Sequence, residues 1–94
     1  MKNDKLREFL EENFPDAIIF DDPEYDNSIV GISSEGNLIY DLNKMVIELA
    51  EDDNMSTDDA FEFIQYNTIR MIPYLPDQYK PMIVDFDFQE LYND

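Results

Sequence analysis

The sequence predicts a single small α+β domain spanning 1–94, with the element order α-β-β-β-α-α-β. Helices pack on one face of an antiparallel or mixed sheet in this reading. Three observations carry it. Apolar residues recur at helical spacing over 42–50, a glycine turn at 34–37 joins two short β-prone runs, and apolar and polar residues alternate along 82–88. A chain of 94 residues buries roughly 60% of its unfolded surface, enough for one modest core.

Asn3 or Asp4 caps a first helix running to about Asn13, with Leu6, Phe9 and Leu10 on one stripe, and Pro15 stops it. Ala17-Ile18-Ile19-Phe20 is a short apolar run and reads as a strand. Asp21 to Asn27 is an acidic loop with turn chemistry. Ser28 to Ser33 and Leu38 to Asp41 read as a hairpin, with Gly36 supplying the positive φ of its short loop. Asp41 then caps a second helix, whose Leu42, Met45, Val46, Leu49 and Ala50 form a core-facing stripe and which ends in Asp52-Asp53-Asn54. Ser56 opens a third helix with Asp59 three residues on, close to a capping box. Ala60, Phe63, Ile64 and Met71 lie near one face of it, and Pro73 and Pro76 end it. The last strand, Met82 to Phe88, places Met82, Val84, Phe86 and Phe88 on its apolar face.

Charge is the strongest functional signal. The chain has 23 acidic and 6 basic residues and a net charge of −17. A compact domain of this length is roughly 30–35 Å across. Duplex DNA of that length carries about 18–20 phosphates, at one charge per ~1.7 Å. A DNA-like charge on a DNA-like length points to a basic partner, and nucleic-acid-binding grooves are the obvious basic surfaces. Direct binding to nucleic acid and attraction to an anionic membrane are disfavoured on the same grounds. Met1 to Glu12 is charged throughout without an apolar signal core, and there is no cysteine. Both favour a cytoplasmic protein.

The segment from Phe20 to Val84 resembles a family of small acidic uncharacterised proteins carried by prophages and mobile elements of Gram-positive bacteria. The residues that carry the resemblance are FDDPEYDNSIVG (20–31), IYDLNKMVIEL (39–49), MSTDDAFEFIQYNTIRMIPYLP (55–76) and PMIV (81–84). Tyr66 to Tyr74 is the most specific stretch. The resemblance implies a mobile-element context and a compact α+β fold, and it implies no reaction.

The residues themselves argue against catalysis. Histidine and cysteine are absent, which removes the commonest bases and the usual zinc ligands. Three DD pairs and one EE pair are what chance gives with so many acids. Asp22-x-Glu24-x-Asp26 has the alternation that opens a calcium loop, but Asn27 stands where glycine is needed and Ser33 where the closing Glu is needed. Asp52-x-Asn54-x-Ser56 fails in the same way, with Phe63 at its twelfth position. Arg70 reads as the partner of a carboxylate, Asn67 as satisfying backbone groups near the helix end, and the Pro73–Tyr79 loop as packing on the core.

The acids are segregated: 8–43 holds ten and no base, and 45–69 holds seven and no base. Glu48, Glu51, Asp52, Asp53, Asp58, Asp59 and Glu62 gather at the corner between the second and third helices. The sequence reading is therefore a non-enzymatic, cofactor-free and metal-free acidic protein that mimics nucleic acid. It would block a basic nucleic-acid-binding surface of a host protein, such as a defence nuclease (an anti-defence or anti-CRISPR-like role) or a transcription factor. Exposed Tyr25 and Tyr74 are the candidate anchors. A metal-binding or regulatory module without mimicry, and an acidic subunit of a hetero-complex, are the alternatives.

Overall fold

A computed structural model describes residues 4–85. Helix α1 (Asp4–Asn13) leads through an extended segment to a 3₁₀ turn at Pro23–Ser28. Strands β1 (Ile29–Ile32) and β2 (Leu38–Asp41), helices α2 (Leu42–Asp52) and α3 (Thr57–Asn67), a second 3₁₀ turn (Ile69–Tyr74) and strand β3 (Met82–Val84) follow. The class is α+β. The sheet order is β1-β2-β3, with β1 antiparallel and β3 parallel to β2. The radius of gyration is 13.4 Å. Among the described residues no helix is long and apolar enough to cross a membrane.

The hairpin forms where its turn chemistry lies. Gly36 has φ +92°, and a Cβ there would come within 3.0 Å of the Tyr79 ring, so both conformation and space require glycine. The Ser33 hydroxyl accepts from the Asn37 N–H at 3.0 Å, closing the loop. Asp41 caps α2, its side chain accepting from the Lys44 N–H at 3.2 Å. The α2 stripe packs as its spacing requires: Leu42, Met45, Val46 and Leu49 are buried and Ala50 is half-buried. They share the core with Leu10, Tyr25, Leu38, Tyr40, Ala60 and Ile64.

Four elements depart from the sequence reading. Residues 17–20 are not a strand. The Ile18 N–H donates to the Tyr79 carbonyl at 3.1 Å and the Phe20 N–H to the Tyr40 hydroxyl at 3.1 Å. The run packs Ala17, Ile19 and Phe20 against the core without joining the ladder. A short apolar run reports burial, not strand pairing. The acidic loop winds into the first 3₁₀ turn, with Pro23 pre-setting its entry. Helix α3 stops at Asn67, ahead of Pro73, whose missing N–H and ring bar an α-helix from continuing through it. The tighter 3₁₀ turn carries the chain on with Met71 exposed, and Phe63 is exposed on α3 itself. Finally, β3 faces opposite to expectation. Ile83 pairs with Tyr40 and packs on the core, whereas Met82 is exposed. An offset of one residue exchanges the two faces of a strand. Residues 86–88 of the expected strand lie outside the described residues. In α1, Leu10 is buried but Phe9 is exposed, lying 6.2 Å from the Phe14 ring.

One buried polar link joins the first two elements. Arg7 grips Asp26 with both arms of its guanidinium, Nε to Oδ2 at 2.6 Å and Nη2 to Oδ1 at 2.9 Å, and Nη2 also donates to the Phe20 carbonyl at 3.1 Å. The bonds to Asp26 hold the guanidinium above its ordinary pKa despite the cost of burial. The Tyr40 phenol is pushed up to about 12 by burial, against the opposing bond from the Phe20 N–H.

Candidate functional site

The α2–α3 corner is built by two caps. Asn54 adopts φ +54°, and the Met55 N–H donates to the Ala50 carbonyl at 3.0 Å, the six-to-one bond that closes a helix C-terminus. Ser56 then caps α3, accepting from the Asp59 N–H at 3.1 Å. Two helix ends carrying acids therefore meet across the four residues 53–56.

Of the expected corner residues, Glu51, Asp52, Asp53, Asp58, Asp59 and Glu62 are exposed and Glu48 is half-buried. They divide by energetics. Asp58 and Asp59 sit in the first turn of α3, where the helix dipole favours negative charge. Glu51, Asp52 and Asp53 crowd the C-terminal end of α2, where the same dipole opposes them and the last turn carries no basic residue. Helix stability accounts for the first pair but not for the second group.

The structure brings to the corner carboxylates that the sequence reading places in a separate acidic loop. The first 3₁₀ turn packs along α2, and this sets Glu24 among Asp22, Asp53 and Asp52. The Glu24 carboxyl is pushed up to about 7, first by burial, then by the charge of Asp22 and by a hydrogen bond and charge from Asp53, with the charge of Asp52 adding to these. No sequence spacing could reveal this cluster, since about thirty residues separate its two halves.

The other candidates separate. Tyr25 is 1% exposed and belongs to the core, which corrects its assignment as an exposed anchor. Its ring meets Phe20 edge-on at 6.2 Å. Tyr74 is 81% exposed and stands free on the second 3₁₀ turn. The Pro73–Tyr79 loop is therefore not wholly packed down, although Leu75 and Tyr79 are half-buried. Arg70 lies over the Tyr66 ring, 5.9 Å from its centroid, and among the described residues it pairs with no carboxylate. Asn67 donates to the Phe63 carbonyl at 3.0 Å, the backbone role expected of it. Asp26 cannot complete the Asp22-x-Glu24-x-Asp26 alternation, because Arg7 holds both its oxygens. Among the described residues no three acids converge as metal ligands.

A groove of about 480 Å³ lies beside the corner, between the first 3₁₀ turn and the end of α3. Phe20, Pro23, Met71 and Leu75 supply its apolar walls, and the exposed Asp21 and Asp22 stand at its mouth. A scan against family models finds no match to this chain, and comparisons with curated proteins and with solved structures find none either.

Proposed function

We propose that this chain is a non-enzymatic acidic interaction protein of phage or mobile-element origin that blocks a basic nucleic-acid-binding surface of a host protein by mimicking phosphates. An anti-defence or anti-CRISPR-like inhibitor is the form this takes. The observation that carries the proposal is the group at the end of α2. Glu51, Asp52 and Asp53 sit against the helix dipole, and Asp22 and Glu24 are packed in beside them. A protein that needed acids only for solubility would gain by moving them elsewhere.

Carboxylates here replace phosphates in pairing with Lys and Arg. The long-range field accelerates encounter, and the exposed Tyr74 supplies an apolar anchor. Capture of a partner from host lysate at low and at high salt tests the reading. The expected partner binds DNA or RNA, is released by salt, and associates more slowly when corner charges are neutralised, with dissociation less affected. A partner bound equally well at both salt concentrations through a surface remote from any nucleic-acid groove overturns it.

A further inference from the structure

We infer that the groove between the first 3₁₀ turn and the end of α3 is a receptor for an arginine side chain of the basic partner, an inference that rests on the reading above and names what the partner inserts. Three independent features converge. The first is shape and lining: apolar walls from Phe20, Met71 and Leu75 border an open groove of about 480 Å³, room for a long side chain and part of its backbone. The second is charge, since Asp21 and Asp22 stand at the mouth and the net charge is −17. The third is an unsatisfied polar atom. Tyr25 lines this groove, and its hydroxyl, buried behind the groove surface, has no hydrogen-bond partner. Burial pushes the Tyr25 phenol up, and the nearby Thr68 side chain opposes that shift without meeting hydrogen-bond geometry.

A buried hydroxyl without a partner is costly, and it becomes an acceptor for any donor that reaches it. Arginine supplies the matching set. Its methylene stem lies along apolar walls, and its planar fork offers five N–H donors to a carboxylate and a hydroxyl at once. Lysine presents a compact, strongly hydrated charge and matches the flat Phe20 wall less well. Asp22 belongs to both the groove mouth and the cluster around Glu24, so the groove extends the acidic corner into a pocket.

The test is a ¹H–¹⁵N titration at physiological salt with acetyl-Gly-Arg-Gly-amide. Its citrulline counterpart keeps the shape and removes the charge. The expected result is saturable shifts at Tyr25, Thr68, Met71 and Leu75, with binding at least tenfold weaker for the citrulline peptide. Asp22→Asn should weaken the arginine peptide about fivefold. Tyr25→Phe should also weaken it, about threefold, while the melting temperature holds or rises. Shifts that spread over the acidic surface without saturating, or equal binding of both peptides, overturn the inference. A nucleic-acid competition assay with the captured partner runs in parallel. Competition without groove shifts removes the groove alone, and groove shifts with a partner that binds no nucleic acid remove the mimicry reading alone.

Discussion

Replacing Arg7 by Met should be among the most damaging single changes in this chain. The Asp26 side chain is 0% exposed, whereas Arg7 retains 22%. Removing the guanidinium strips both carboxylate oxygens of their bonds and leaves a charge that water cannot reach. It also takes a donor from the Phe20 carbonyl. Breaking a buried pair from one side costs about 3–5 kcal/mol. A chain of this length is stable by about 5–14 kcal/mol, so the loss is a large share of the total. At ~4–8 °C per kcal/mol the melting temperature should fall by roughly 12–40 °C. Asp26→Asn should cost less, because the partly exposed Arg7 can turn to solvent and the amide can still accept one bond. The double variant Arg7→Met with Asp26→Leu should recover most of the loss, since no charge is then stranded. Urea unfolding followed by circular dichroism measures the parent, the two single variants and the double variant. A loss below about 1 kcal/mol for Arg7→Met, in the range of exposed pairs, would refute the claim that this link organises the acidic turn.

Two further outcomes follow from the core and from the acidic cluster. Leu49→Ala should cost about 2–5 kcal/mol, because Leu49 is 1% exposed in the middle of the α2 stripe; an unchanged thermal melt would remove it from the core. Glu24 has a folded-state pKa of about 7, above its ordinary value of 4.5, so the folded state holds a proton that the unfolded state releases between those values. Its favourable contribution is present below about pH 4.5 and is lost as pH rises through 7. Glu24→Gln should therefore stabilise the protein at pH 8 and flatten the decline across that window, read by thermal melts at several pH values. A variant less stable than the parent at pH 8, with the same slope, would place Glu24 outside the cluster.

Local signals carried the parts of the fold that the sequence makes legible. The α2 stripe, the Asp41 and Ser56 caps and the Gly36 hairpin each depend on residues within one or two turns, and each stands where its spacing puts it. The misread parts depend on distant neighbours. Residues 17–20 are as apolar as a strand, but β2 already has β1 and β3 beside it. The facing of β3 is set by its parallel register with β2, which the alternation of 82–85 does not determine. Tyr25 lies among four acids between 21 and 26, and polarity around it masks a core aromatic. The corner acids were legible as a run of charge. Glu24 and Asp22 were not, because only the packing of the first 3₁₀ turn along α2 brings them to Asp52 and Asp53.

The claim that corner carboxylates stand in for phosphates is tested most directly by competition. A partner captured from host lysate is loaded with a labelled duplex, and displacement is followed by fluorescence anisotropy at physiological salt, where the Debye length is about 8 Å and close charge pairs dominate. The competitors are the parent protein and a variant carrying Asp52→Asn, Asp53→Asn, Asp58→Asn and Asp59→Asn, which keeps turn and cap chemistry while removing four charges. The account predicts that the parent displaces the duplex with a steep salt dependence and that the folded variant loses most of that competition. A variant that competes as well as the parent, or a partner that holds this protein and its duplex at the same time, would contradict it.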